Sequence, residues 1–155
     1  GKNREVSTAV SFAPGETAWR EEPPCPFRIG QSAGCVIGNV IYLTIMKEGL
    51  IAFDTKARRW ITDLPHIVGD KGPQAALVAA HKNEVWVIGG FDTDDPLATR
   101  VYSPAGKRWR LGPPLPFSMG WGAAAEVDGR LYIIGGGYHS HGHYIFHDRA
   151  FVLRD

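Results

Sequence analysis

One phrase occurs twice in the chain: residues 81–90 read HKNEVWVIGG, and residues 127–136 read VDGRLYIIGG. Each copy holds a turn-forming pair, then β-branched and aromatic residues, then two glycines. An earlier stretch, IGNVIYLTIM at 37–46, starts in the same way but has Ile45 and Met46 where the glycines are expected. Repetition on this scale within 155 residues predicts several copies of one supersecondary unit.

The repeated phrase has the pattern of a β-hairpin. Its central aromatic residues are Tyr42, Trp86 and Tyr132, which are 44 and 46 residues apart. The turn pairs are Gly38-Asn39, Lys82-Asn83 and Asp128-Gly129. Gly, Asn and Asp tolerate the positive φ angles of tight hairpin turns. Small apolar residues precede each turn and β-branched or aromatic residues follow it, so the pattern predicts strand, turn, strand three times over.

A second aromatic series lies between the hairpins, at Trp19, Trp60 and Trp109. Seven residues before each Trp stands another aromatic residue. These are Phe12, Phe53 and Tyr102. Each pair spans a strand-like run and a turn, so we expect four short strands in each unit. No segment shows a sustained apolar period of 3.6 residues, and the predicted fold class is therefore all-β.

Four strands repeated at about this period are typical of β-propeller blades, which bury their faces against one another. The chain resembles the kelch-repeat family, in which a strand ending in Gly-Gly is followed by a Tyr and a Trp. VWVIGG at 85–90 with VYSPAGKRW at 101–109 carries the whole pattern, whereas LYIIGG and IAFDTKARRW each carry half of it. The resemblance implies kelch-type propeller blades, each a four-stranded antiparallel sheet. The blade with Ile45 and Met46 departs from the pattern, and its loop is expected to differ.

The chain holds about three such repeats, or half of a six-bladed ring. The expected blades cover residues 25–66 and 67–116, with partial blades at 1–24 and 117–155. Two interpretations remain open. The chain is part of a larger kelch protein, or two copies pair as a homodimer that closes a six-bladed ring by exchanging strands.

Composition limits the classes of partner. The formal net charge is +1, so we expect no nucleic-acid partner. The sequence has no apolar run of 18 residues, so no membrane span is predicted. No signal peptide is visible, which favours a cytoplasmic, intracellular location. Cys25 and Cys35 have no metal-ligand spacing, and Cys35 lies in an apolar run, AGCVIG, typical of a core residue. No cofactor is expected.

Two polar segments follow the glycine pairs. The first, GGGYHSHGHYIFH at 135–147, contains weak metal-ligand candidates. These are His139, His141 and His143. We favour a loop in which Tyr138 and His139 contribute to a partner-binding surface. The second, FDTDDPLA at 91–98, places Asp92 and Asp94 in an acidic turn that lacks the Gly and Glu of a calcium loop.

The kelch resemblance also implies a binding face. It is formed by the loops after the second strand of each blade and by the residues that lead into the first strand. An Arg-x-Gly often stands at that point in the family, and RIG at 28–30 matches it. Arg28 is therefore an anion-binding candidate, and the alternative is an ordinary surface charge. The other partner-binding candidates are Gln31, Lys71, Gln74, Asp92, Asp94, Ser118, Met119 and Trp121. Trp121 is either an exposed anchor or a residue packed between blades.

We expect a non-catalytic protein–protein interaction module that binds a protein or peptide partner, as an adaptor or as part of a larger kelch protein. No nucleophile elbow, zinc-helix motif or phosphate-binding glycine loop appears. The alternative is a sugar-binding or sugar-modifying kelch enzyme, either an oxidase or mutarotase-like. The oxidases need a Tyr cross-linked to a Cys, and neither Cys25 nor Cys35 lies in a motif for this. A purely architectural subunit is a third interpretation.

Overall fold

The computed structural model describes residues 7–68, 72–140 and 143–153, with side chains at all of these except 139 and 140. Every regular element within these ranges is a β-strand, which confirms the all-β prediction. The part of the chain that is described therefore offers no helix able to cross a membrane. The strands are β1 (Ala9–Ser11), β2 (Arg20–Glu22), β3 (Gly34–Ile37), β4 (Val40–Ile45), β5 (Gly49–Asp54), β6 (Arg59–Ile61), β7 (Leu77–His81), β8 (Glu84–Ile88), β9 (Thr99–Ser103), β10 (Arg108–Leu111), β11 (Ala123–Val127), β12 (Arg130–Ile134), β13 (Gly137–Ser140), β14 (His143–Phe146) and β15 (Ala150–Val152).

The strands form antiparallel sheets. In the two four-stranded sheets, neighbours in sequence are also neighbours in the sheet. Strands β3–β6 make one four-stranded sheet and β7–β10 make the next. Strands β11, β12 and β15 make a third sheet, while β1 pairs with β2 and β13 with β14. The predicted four-stranded antiparallel units are thus present. We refer to β3–β6 as the first sheet, β7–β10 as the second and β11–β12–β15 as the third.

The hairpin turns adopt the backbone that their residues predict. Gly38 has a φ of 61°, Lys82 and Asn83 have 50° and 59°, and Asp128 and Gly129 have 50° and 74°. The second and third hairpins thus have two successive residues with positive φ, and the first has positive φ at Gly38 but not at Asn39. Both arrangements match the twist of a tight hairpin. This local chemistry sets the register of each strand pair.

Each hairpin aromatic lies opposite a small side chain. Cys35 pairs with Tyr42, and Ala79 pairs with Trp86. Ala125 pairs with Tyr132 in the third sheet. A small residue beside a large ring leaves room for the ring to lie on the sheet, and such cross-strand pairs stabilise the hairpin. The small apolar run before each turn is therefore a packing requirement.

The second aromatic series pairs across the third and fourth strands of each four-stranded sheet. Phe53 lies opposite Trp60 with ring centroids 5.0 Å apart, and Tyr102 lies opposite Trp109 at 5.2 Å. The Trp60 indole N–H donates to the Pro23 carbonyl at 2.8 Å. The Trp109 N–H donates to Pro65 at 2.9 Å. Each indole therefore joins an outer strand to the proline-containing linker before its sheet.

The second sheet is covered on both faces. Its first strand contacts the first strands of the sheets on either side, β3 and β11. One core cluster lies between the first and second sheets and contains Tyr42, Leu50, Ala52, Ala76, Val78, Val85, Val87 and Tyr102. The other lies between the second and third sheets and contains Leu77, Ala79, Trp86, Ile88, Val101, Leu115, Met119, Leu131 and Ile133. Each buried aliphatic side chain contributes about 1.5–3 kcal/mol, so stacking of the sheets stabilises the fold.

A polar contact between a buried histidine and an exposed glutamate also joins the second and third sheets. The His81 ring is 2% exposed, and its Nδ1 lies 2.7 Å from Oε2 of Glu126. The same carboxylate oxygen accepts the Lys82 backbone N–H at 3.0 Å. That N–H, followed by His81, lowers the pKa of the Glu126 carboxyl.

The segment after the glycine pair of the third sheet, Gly135-Gly136, differs from its prediction as a loop. Strands β13 and β14 form a β-hairpin between the second and third strands of the third sheet. A reciprocal backbone bridge between Gly120 and Gly137 extends the ladder from the preceding segment into β13. The apolar run HYIF supplies the β-forming residues of β14, which outweigh the glycine content of the segment.

Candidate functional site

One end of the three sheets collects the segments that lead into the first strands and the loops that follow the second strands. In an antiparallel meander these two kinds of segment meet at the same end. Gln74 N donates to Phe91 O at 2.9 Å, and Phe91 N returns a bond to Gln74 O at 2.7 Å. Gly120 and Gly137 exchange the equivalent pair at 2.8 and 2.9 Å. We call this end of the sheets the loop face.

Backbone hydrogen bonds also connect neighbouring sheets at the loop face. Trp121 N donates to Ala75 O at 3.0 Å, and Gly90 N donates to Met119 O at 2.8 Å. These bonds fix the lead-in segment of the third sheet against that of the second. The loop face is therefore a framework in which side chains of different sheets keep fixed relative positions.

Three equivalent positions of this face have left-handed backbone. Gln31, Ala75 and Trp121 have φ angles of 40°, 53° and 56°. Each stands eleven residues before the aromatic residue of its hairpin. Left-handed backbone costs a residue other than glycine about 1–3 kcal/mol and persists only where surrounding contacts impose it. The fold therefore holds these three side chains in place at an energetic cost.

The loop face contains a cleft of about 440 Å³, lined by segments of all three sheets and by β14. Its apolar wall consists of Phe91, Trp121 and Tyr144. The Phe91 and Trp121 rings lie 4.4 Å apart at 43°, and the Trp121 and Tyr144 rings lie 5.2 Å apart at 62°. Trp121 is 43% exposed and Tyr144 61% exposed. The remaining lining residues are Gln31, Gln74, Gly90, Asp92, Thr93 and Pro96. We call this space the aromatic cleft.

A larger cleft of about 980 Å³ adjoins it and shares Gln31 and Gln74. Arg28 and Lys47 supply its basic side chains and Glu48 its carboxylate. Its other lining residues are Ser7, Pro26, Phe27, Ile29, Gly30 and Met46. We call it the Arg28 cleft. The two clefts form a continuous surface because the same two glutamines line both.

A buried arginine supports the loop beside the aromatic cleft. The Arg100 side chain is 1% exposed and donates to Thr93 Oγ1 at 2.9 Å, to Asp95 O at 3.2 Å and to Ala98 O at 3.5 Å. Charge-assisted hydrogen bonds of this kind hold a loop in one conformation. Asp92 and Asp94 remain exposed on the same loop. Sequence patterning did not single out Arg100, although a charged residue inside the strand TRVYS is a usable signal.

Several sequence-predicted residues meet on this face. Arg28 and Gln31 line the Arg28 cleft, while Asp92 and Trp121 line the aromatic cleft. Gln74 lines both. Asp94 is exposed nearby but lines neither. Trp121 combines the two interpretations given above, because one part of its ring packs on Phe91 and the rest is open to solvent. Sequence reasoning did not name Phe91 or Tyr144 as site residues.

Other candidates lie elsewhere. Met119 is completely buried between the second and third sheets, so its proposed role as a partner-contact residue is wrong. Ser118 is half-buried and lines neither cleft, and Tyr138 is half-buried with its ring stacked on His147 at 5.5 Å. Lys71 and His141 lie outside the described residues, and His139 is described by its backbone alone.

The described side chains include one of the three metal-ligand candidates, His143, and both cysteines. Within the described ranges, no three His, Cys, Asp or Glu residues are grouped so as to hold a metal ion. His143 is exposed on β14. Cys25 and Cys35 are both free thiols. Burial raises the pKa of Cys35 to about 12, and burial also raises the pKa of Cys25. Both side chains therefore favour the unreactive thiol form.

Comparison with known proteins finds relatives at modest identity, and no protein-family model matches. The chain is 27% identical to Kelch-like protein 35 of Mus musculus over 133 residues, which cover 83% of this chain and 23% of that protein. It is 29% identical to N-acetylneuraminate epimerase of Pasteurella multocida (strain Pm70) over 140 residues, which cover 81% of this chain and 36% of the enzyme. It is 24% identical to Kelch repeat and BTB domain-containing protein 12 of Homo sapiens, covering 76% and 23%.

The structure of YjhT aligns with 96% of this chain at a TM-score of 0.74 and 13% identity. Likeness at this level of identity shows a shared fold. The alignment covers 52% of YjhT. The chain thus spans about half of this neighbour and about a quarter to a third of the curated relatives named above.

Proposed function

We propose that this chain, which is similar to kelch-repeat proteins over most of its length and has the fold of a β-propeller neighbour, is a non-catalytic protein-interaction module whose loop face binds a peptide segment of a partner. The exposed rings of Trp121 and Tyr144, which line the aromatic cleft in edge-to-face contact, carry this proposal. Aromatic side chains on a rigid support are the usual anchors of protein interfaces because they bury a large area at little entropic cost.

The neighbouring Arg28 cleft supports the same function. Arg28 and Lys47 give this cleft a basic character next to the apolar side chains of Phe27, Ile29 and Met46. A carboxylate of a partner peptide suits the Arg28 guanidinium, which is able to form two parallel hydrogen bonds. The shared glutamines provide amide donors and acceptors for an extended peptide backbone that crosses both clefts.

The flanks of the molecule suggest that further blades cover them. Trp19 is 68% exposed and Phe12 51% exposed on the β1–β2 hairpin. In a closed kelch ring such surfaces pack on neighbouring blades, supplied by the same polypeptide or by a second copy that closes a six-bladed ring. Light scattering gives the solution mass of the chain. A stable dimer supports ring closure by two copies, and a monomer contradicts it.

Selection of binding peptides tests the interaction function. A displayed library of random peptides is selected on the immobilised chain, and the affinities of synthetic copies are measured by calorimetry. We expect an enriched motif whose binding falls at least tenfold in Trp121→Ala. Trp19→Ala is the matched control, since it removes an exposed indole outside both clefts. Failure to enrich any sequence, or equal losses in both variants, contradicts the proposal.

A sugar-processing enzyme is the second candidate, and the similarity to N-acetylneuraminate epimerase favours it. The aromatic cleft is also lined by Gln31, Gln74 and Asp92, which are able to hydrogen-bond hydroxyl groups. Incubation with N-acetylneuraminate, followed by proton NMR, distinguishes the two functions. Interconversion of its epimers above the rate in buffer supports the enzyme. A rate equal to that in buffer, together with peptide binding, supports the interaction module.

A further inference from the structure

The aromatic cleft has an electrostatic character opposite to that of the adjoining Arg28 cleft. None of the described residues that line the aromatic cleft carries a basic side chain, and Asp92 supplies a carboxylate. The loop behind it adds Asp94 and Asp95, while Arg100 lies buried below. The guanidinium of Arg100 donates to Thr93 Oγ1 and to two backbone carbonyls of this loop. Three aspartates against one arginine leave the rim of the cleft negative.

The rings of the cleft add to this negative character. The face of an aromatic ring attracts cations through its quadrupole, and Trp attracts them most strongly. Phe91, Trp121 and Tyr144 form a continuous series of rings in contact, inclined to one another by 43° and 62°. Open π surface beside a carboxylate is the combination that selects a cation over a neutral group of the same shape.

From this juxtaposition we propose that the aromatic cleft is a specific pocket for an arginine side chain of the partner peptide. The planar guanidinium stacks on the exposed part of the Trp121 ring, and its N–H groups donate to the Asp92 carboxylate. Arginine suits the cleft better than lysine because its planar group is able to stack on a ring and bind a carboxylate at the same time. The inference rests on the proposed interaction function and adds the chemistry of one partner residue.

The adjoining Arg28 cleft determines in which orientation the peptide binds. A segment that crosses Gln31 and Gln74 meets the aromatic, acidic cleft on one side and the basic cleft on the other. The partner segment that fits this surface carries an arginine at one end and an acidic residue at the other. Such an order disfavours binding of the same peptide in the opposite orientation, because like charges would then face each other.

Small probes test the arginine pocket independently of any partner. N-acetyl-L-arginine methylamide and its neutral isostere N-acetyl-L-citrulline methylamide are titrated into the ¹⁵N-labelled chain, and the tryptophan indole resonances are followed by NMR. We expect saturable shifts of the Trp121 indole with the arginine probe, and binding at least ten times weaker with the citrulline probe. Shifts of equal size with both probes, or shifts confined to other tryptophans, overturn the inference.

Matched variants test whether the Asp92 carboxylate contributes to binding of the arginine probe. Asp92→Asn is expected to weaken binding of the arginine probe at least fivefold. Asp128→Asn is the control, since it neutralises an exposed carboxylate in a hairpin turn at the opposite end of the sheets. Both variants keep the side-chain volume, and the dispersion of their NMR spectra shows whether they are folded. Equal binding by the two variants overturns the role of Asp92 and with it the pocket.

A peptide obtained by selection separates this inference from the function on which it rests. Replacing the arginine of that peptide by citrulline is expected to weaken its binding at least tenfold. A selected peptide whose affinity survives this replacement overturns the arginine pocket and leaves the interaction function standing. Arginine-probe binding at Trp121 in a chain that enriches no peptide supports the pocket and contradicts the interaction function.

Discussion

At the scale of single residues, the glycines after the second strands are required by both backbone and space. Gly90 has a φ of 106°, and a Cβ there would lie 2.7 Å from the Pro73 Cβ and 3.0 Å from the Gln74 carbonyl oxygen. In the first sheet, Ile45 and Met46 replace the glycine pair, and the positive φ angles move to Lys47 and Gly49, at 70° and 90°. The expected difference in that loop is therefore a shift of the turn along the chain.

Gly90→Ala is predicted to lower the free energy of unfolding by about 2–4 kcal/mol, because backbone strain and steric overlap both oppose the methyl group. Gly38→Ala is the control. Gly38 also has positive φ, but its Cβ would meet nothing within 4 Å, so we expect a loss of about 1 kcal/mol. Urea denaturation followed by tryptophan fluorescence measures both. Equal losses would contradict the steric part of this explanation.

At the scale of elements, the repeated Trp of the outer strand is predictable as a repeat, but its hydrogen-bond partner is not. The spacing of Phe53 to Trp60 and of Tyr102 to Trp109 identifies the third and fourth strands. The acceptors, Pro23 and Pro65, lie in linkers 37 and 44 residues earlier, and backbone carbonyls leave no mark in a sequence pattern. A sequence pattern therefore identifies these strands but does not identify the linker carbonyl that each indole contacts.

Trp109→Phe is predicted to destabilise the protein by about 1–2 kcal/mol, because the Pro65 carbonyl loses its donor while most of the ring volume is kept. Trp19→Phe is expected to change stability by less than about 0.5 kcal/mol, since that indole is 68% exposed. Thermal denaturation by circular dichroism compares the two. A Trp19 variant as unstable as the Trp109 variant would show that the Pro65 hydrogen bond is not the cause.

The candidate site shows the same limit of sequence-based prediction. Arg28, Gln31, Gln74 and Trp121 were placed together because the repeat fixes where each lead-in segment falls. The glycine content of segment 135–147 predicts a loop, which gives no position for Tyr144, whereas the pairing of β13 with β14 makes the segment a hairpin. Met119 was misplaced because a short segment with one buried and one exposed position, Met119 and Trp121, carries no periodicity that separates them.

At the scale of the whole molecule, the sheets are held by apolar faces together with a few polar contacts. The contact of His81 with Glu126 joins the second sheet to the third at the end opposite the loop face, next to the hairpin turns. Backbone bonds such as Trp121 N to Ala75 O join the same sheets at the loop face. The two sheets are thus fixed at both ends, which limits their relative rotation.

The Glu126 contact predicts a pH dependence. Because its pKa in the folded state is lowered by the Lys82 N–H and then by His81, the stabilisation is complete above the ordinary carboxyl pKa of 4.5 and is lost as pH falls through the lower folded value. Unfolding free energies measured from pH 3 to 7 are expected to decline less steeply in Glu126→Gln. Glu21→Gln, on the exposed strand β2, serves as the control. A decline unchanged from that of the native chain in the Glu126 variant would refute this assignment.

Gln31, Ala75 and Trp121 share one unusual backbone conformation, yet their side chains are an amide, a methyl group and an indole. The conformation therefore comes from the surrounding architecture and not from the residue that adopts it. Gln31 and Trp121 line the clefts, whereas Ala75 is buried. Substitutions at positions 31 and 121 are therefore expected to change what the surface recognises while the backbone beneath keeps its conformation. The loop face thus combines fixed backbone positions with side chains that are able to vary.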